Sequence, residues 1–92
     1  MAKYHELNME TREKIRRNIE KFAHRCDRPF TIGEAARAAT CNLDHAEVAL
    51  EELSNIFNEV RKASDEERKR YNLPEKTVAY TVIKVAIQKA YD

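Results

Sequence analysis

Arg61, Lys62, Arg68, Lys69, Arg70 and Lys76, with Tyr71 among them, form the densest run of cations in the chain. Cations at that density suit phosphate, because each one set against a polyanion releases condensed counterions. A second row, Arg17, Lys21, Arg25 and Arg28, recurs at close to helical spacing and makes a candidate phosphate-tracking face. Between the two rows, Asp44, Glu47, Glu51 and Glu52 supply carboxylates with no Lys or Arg among them. Such a face repels phosphate and attracts cationic protein surfaces. Asn42 and His45, beside it, can hydrogen-bond base edges. Each basic row also has a plainer reading as a solvated face, the later one balanced by Asp65, Glu66 and Glu67.

Catalysis has no comparable foothold. Ser54 and Ser64 lack His and Asp partners in a workable order, and His5, His24 and His45 fall in separate elements. The chain has one Gly and two Pro, which argues against a glycine-rich phosphate cradle. Cys26 and Cys41 are not spaced as C-x-x-C, and with His24 and His45 they match no zinc-ligand pattern. The expectation is a non-enzymatic chain with free thiols, no metal and no cofactor.

Ninety-two residues, 42% hydrophobic and 36% charged, make one small domain with a modest core. No apolar run approaches the ~18 to 20 residues of a membrane span, and the N-terminus lacks the apolar stretch of a signal peptide. A cytoplasmic chain without a membrane partner is expected. The net charge of +1 conceals an uneven distribution. Residues 1–30 hold eight Lys/Arg against five Asp/Glu, residues 31–60 one against six, and residues 61–92 eight against five.

The positioning elements follow from periodicity. Residues 1–8 are expected as a disordered arm. A first helix starts at Asn8 or Thr11 and runs to about Cys26, with Ile15, Ile19, Phe22, Ala23 and Cys26 on one stripe. Asp27-Arg28-Pro29 stops it. Thr31 and Glu34 form a capping box for a second helix whose Ala35, Ala36 and Ala39 give a flat face. Asn42 caps a third helix from Leu43 to about Asn55, with Ala46, Ala49, Leu50 and Leu53 inward, continued by Ile56 or Phe57. Asn58 takes the left-handed position after it. A short strand surrounds Val60, and Ser64 with Glu67 makes another capping box. Thr77 to Val85 reads as a strand with Val78, Tyr80 and Val82 on one face and Ala79, Thr81 and Ile83 on the other. Val85 to Tyr91 either extends it or forms a short C-terminal helix.

This order resembles the winged-helix superfamily over roughly residues 9 to 84, and Thr31 to Leu53 resembles a helix-turn-helix. Ala36 falls where the first helix of the pair wants a small residue, and Ala46 where one packs between the helices. Thr40 and Asn58 stand where Gly is usual, and the connection from Ala63 to Lys76 is longer than a simple hairpin loop. The resemblance implies an α+β, mainly helical domain spanning 1–92, a three-helix core plus a small β-sheet wing with its loop at 63–76. It implies a DNA-binding transcriptional regulator, with Leu43 to Leu53 as recognition helix and Arg61 to Lys84 as wing.

Because that helix is acidic, phosphates fall to Arg17, Lys21, Arg61, Lys62, Arg68, Lys69, Arg70 and Lys76, and bases to Asn42 and His45 at its tip. The alternative is a protein-interaction module whose Asp44, Glu47, Val48, Glu51 and Glu52 meet a basic partner, as an adapter or nucleic-acid mimic. The apolar tail Val82 to Tyr91 is either a homodimer contact or part of the core.

Overall fold

The computed structural model describes residues 3–74 and 76–83. These form an α+β fold, mostly helical, with one three-stranded antiparallel sheet. In chain order they are α1 (Met9–Arg25), β1 (Phe30–Thr31), α2 (Ile32–Ala39), α3 (Leu43–Asn55), β2 (Val60–Lys62), α4 (Asp65–Arg70) and β3 (Ala79–Val82).

Local chemistry sets most boundaries. Asn8 caps α1 by accepting from the Thr11 amide at 2.7 Å, satisfying a donor that the first turn leaves without a partner. Thr31 and Glu34 bond reciprocally at the start of α2, at 3.2 and 3.0 Å. Helix α2 ends at Thr40 in the left-handed region, φ 53°, where the Cys41 amide donates to the Ala36 carbonyl at 3.0 Å. Asn42 then caps α3 through the His45 amide at 2.7 Å. Asn58, also at φ 53°, turns the chain into β2.

The three long helices pack on one another around Ile15, Ile19, Ala35, Ala36, Ala46, Ala49, Leu50 and Leu53, all buried. Alanines at the contact permit close approach, and Phe22 meets Phe30 edge-on at 5.1 Å between ring centroids.

Strand β3 lies between β1 and β2, with Phe30 opposite Tyr80 and Val60 opposite Val82. Cross-strand partners share a face, so Phe30, Val60, Tyr80 and Val82 point to the helices. Thr31, Arg61, Ala79 and Thr81 occupy the reverse face. The strand read over Thr77 to Val85 is shorter at its start, Ala79–Val82, so that Val78 lies before it and is exposed, while Ala79 and Tyr80, on opposite faces, are both buried. The β2–β3 connection is tied to this strand: the Ala63 amide donates to the Ala79 carbonyl and Arg68 donates to the Thr77 carbonyl.

Two further expectations are corrected. Residues 3–8 are not a loose arm: Tyr4–Glu6 form a 3-10 turn, and the Tyr4 ring is 2% exposed. Ile56 and Phe57 do not continue the inward row of α3 but lie exposed, because the helix stops at Asn55 and the chain turns away. Phe57 instead sits under the Arg16 guanidinium, 5.1 Å from its ring centroid. The readings for Val85 to Tyr91, and all but Val82 and Ile83 of the tail considered for dimerisation, lie outside the described residues. No helix among the described residues is long and apolar enough to cross a membrane.

Candidate nucleic-acid interface

The N-terminal tip of α3 opens onto a groove of about 980 Å³ between α1 and the α2–α3 turn. Asn42 and His45 line it, as do Lys14 of α1 and Arg37 of α2. Lys14 and Arg37 are exposed and join no ion pair among the described residues. Sequence reasoning did not single out either one. Arg37 is the lone cation of α2 and Lys14 one of six Lys/Arg on α1, and only the crossing of α1 with the helix pair brings them to the tip. Asn42 Oδ1 accepts from the His45 amide as the helix cap, and the half-buried His45 ring lies edge-on to Tyr4 at 6.2 Å.

Along β2, α4 and the chain leading into β3, the six expected cations divide. Arg61 and Glu67 make a bidentate pair at 2.8 and 2.9 Å, the strong geometry for a guanidinium and a carboxylate. Arg61, helped by the Ser64 amide, holds the Glu67 carboxyl down at about 2. Arg68 pairs with Asp65 and donates to the Thr77 carbonyl. Arg61 therefore fastens α4 to β2, and Arg68 fastens it to the chain leading into β3, as well as carrying charge. Lys62, Lys69, Arg70 and Lys76 are exposed and join no ion pair among the described residues, as do Arg17 and Lys21 on α1. Arg61, Arg70 and Tyr71 share a cleft of about 320 Å³ with Arg28, which brings the segment after α1 beside β2 and α4. Arg28 itself is held by Glu34 at 2.6 Å, which lowers the Glu34 carboxyl.

The acidic helix also divides. Asp44, Glu47 and Glu51 are exposed and have no ion-pair partner among the described residues. The field of two of them reaches the sheet: the Tyr80 hydroxyl is pushed up first by burial and then by Glu51 and Glu47. Glu52 is not part of this face. It accepts from Arg16 at 2.9 Å and from the Tyr4 hydroxyl at 2.7 Å. Val48 is half-buried and packs on the core.

No family model, curated protein or solved structure matches the chain. Its role therefore rests on the disposition of these charges. Cations lie around the α3 tip, along α1 and from β2 through α4, with an acidic strip on the outer face of α3 that joins no ion pair among the described residues. Both cysteines are free; the Cys26 thiol donates to the Arg28 carbonyl, and burial pushes the Cys41 thiol up. The raised Cys41 thiol is the opposite of a reactive thiolate, whose pKa is lowered.

Proposed function

We propose that the chain is a winged-helix protein that binds duplex DNA and regulates transcription from within the cytoplasm. The helix pair, with its tight turn at Thr40, and the sheet order β1-β3-β2 support the winged-helix reading. The observation that carries the DNA reading is the groove at the α3 tip, where Lys14 and Arg37 flank Asn42 and His45. A helix N-terminus favours anions through its dipole and its free amides, and two flanking cations add to that field. Phosphate contacts then come from Arg17 and Lys21 on α1 and from Lys62, Lys69, Arg70 and Lys76 on the wing. Arg61 and Arg68 brace the wing.

The test is anisotropy of a random duplex over a range of salt. Affinity should fall steeply with salt, and changing Lys69 and Arg70 together to Ala should reduce the log–log slope by about 2, near 0.9 for each phosphate no longer neutralised. Arg37→Ala should weaken binding at every salt concentration. Absence of binding at low salt, or an unchanged slope, overturns the reading.

Asp44, Glu47 and Glu51 favour a second reading, in which α3 meets a cationic protein surface. Under it the chain ignores duplex at all salt concentrations, and a partner is lost when those carboxylates become amides.

A further inference from the structure

Glu20 and His24 stand four residues apart on α1, so both project from one face of the helix, and Glu59 comes to meet them from the turn between α3 and β2. One ligand atom from each lies within 4.8 Å of the other two. We propose that Glu20, His24 and Glu59 form a binding site for a transition-metal dication, zinc being the chemical type.

The His24 Nε2 to Glu59 Oε2 separation is 3.6 Å. That is too long for a hydrogen bond. It is close to the distance between two ligand atoms on one tetrahedral zinc, about 3.4 Å for bonds near 2.1 Å. Two carboxylates and a neutral imidazole carry the charge that cancels a dication, and three protein ligands leave a fourth position for water.

The approach of Glu59 is built into the backbone. Asn58 at φ 53° reverses the chain just before it. The Glu59 amide donates to the Leu53 carbonyl at 2.8 Å, and its own carbonyl accepts from the Ile83 amide at 3.0 Å. Held at both ends of its peptide, Glu59 loses little freedom when its carboxylate takes a metal. Glu20 and His24 lie on a helix already fixed by packing through Ile19 and Ala23. Half-exposed side chains, at 53% for His24 and 39% for Glu59, leave an open entry path. A bound ion would clasp the end of α1 to the turn that leads into the sheet, and periodicity could not announce it, because Glu59 joins the pair only through the fold.

Zinc alone, titrated into the full chain while the histidine ring resonances are followed by NMR, tests this. His24 should shift and saturate at one equivalent, whereas His5 and His45 should not. Glu20→Gln and Glu59→Gln should each weaken binding about tenfold or more. Excess zinc should raise Tm by about 5 °C or more, as expected for a ligand that binds the native state alone, and His24→Gln should abolish the rise. A His24 resonance unmoved at millimolar zinc overturns the proposal. So does zinc binding that persists undiminished in the carboxamide variants, which would locate the ion at the thiols or another histidine.

Discussion

The Arg16 guanidinium of α1 donates to the Glu52 carboxylate of α3 at 2.9 Å, and the Tyr4 hydroxyl donates to the same oxygen at 2.7 Å. Three segments distant in sequence converge on one oxygen, with the Arg16 and Glu52 side chains each 18% exposed. Arg16→Ala leaves a half-buried carboxylate with a single neutral donor. The expected cost is about 1–3 kcal/mol, read as a lower urea midpoint at unchanged slope. A midpoint equal to wild type would mean that the interaction is as inert as many surface ion pairs.

Tyr4 gives the same cluster a signature at high pH. Its hydroxyl is pushed up to about 12, first by burial and then by the hydrogen bond to Glu52, against roughly 10 in an unfolded chain. A folded pKa above the unfolded one contributes stability in full below pH 10, and that contribution is lost as pH rises toward 12. Wild-type stability should decline across that window. Tyr4→Phe keeps the ring and removes the titrating group, so its alkaline limb should be flatter, with Tyr80 supplying the remainder. Identical alkaline limbs would sink this account.

The Arg61–Glu67 pair predicts the opposite limb. Glu67, held at about 2 by Arg61, titrates near 4.3 when unfolded. The folded pKa is the lower one, so the stabilisation is present above about pH 4.3 and is lost as pH falls toward 2. Arg61 is half-exposed, and solvent screening limits the pair to about 0.2–1 kcal/mol. Glu67→Gln should flatten the acid limb without moving stability at pH 7 by more than that. Glu34, lowered by Arg28 in the same direction, accounts for slope that remains.

Much of the fold was legible because its signals are local. Asn8, Thr31 with Glu34, Asn42, Ser64 with Glu67, and Asn58 each declare themselves within a few residues, and each does what its side chain implies. The partners of the charges were not legible. Glu52 looked like its neighbours on α3 until Arg16 and Tyr4 arrived from 36 and 48 residues away. A lone Tyr ahead of a helix has no period to mark it as core. Arg61 and Glu67 sit six apart across a strand-to-helix junction, where no spacing rule pairs them. The candidate site was half-readable for the same reason: Asn42 and His45 follow from the cap, whereas Lys14 and Arg37 reach the tip only through the crossing of helices.

Thr40 is a β-branched residue in the left-handed region, φ 53° and ψ 50°, at the turn between α2 and α3. That conformation costs an L-residue roughly 1–2 kcal/mol, partly offset in glycine by its looser unfolded chain, worth about 0.4–1 kcal/mol. Thr40→Gly should therefore stabilise the protein by about 0.5–1 kcal/mol, and Thr40→Val should not. Thermal unfolding of the two variants measures this. A destabilised Thr40→Gly would mean that the threonine side chain makes an interaction outweighing its strain.

Glu47 and Glu51 stand on successive turns of the exposed face of α3 and decide how that helix meets a duplex. If the helix approaches tip first, with its flank beside the groove wall, each carboxylate faces phosphate at a separation comparable to the Debye length, about 8 Å at physiological salt. Converting both to Gln removes two repulsions and leaves the Asn42 cap and the buried Ala46, Ala49 and Leu50 face untouched. The expected result is a several-fold gain in affinity for random duplex at low salt that shrinks as salt rises. Because the carboxylates act only by repulsion, the gain should persist in the Lys69→Ala, Arg70→Ala background. An affinity unchanged by the double substitution would turn α3 away from the nucleic acid and leave its three exposed carboxylates to a protein partner.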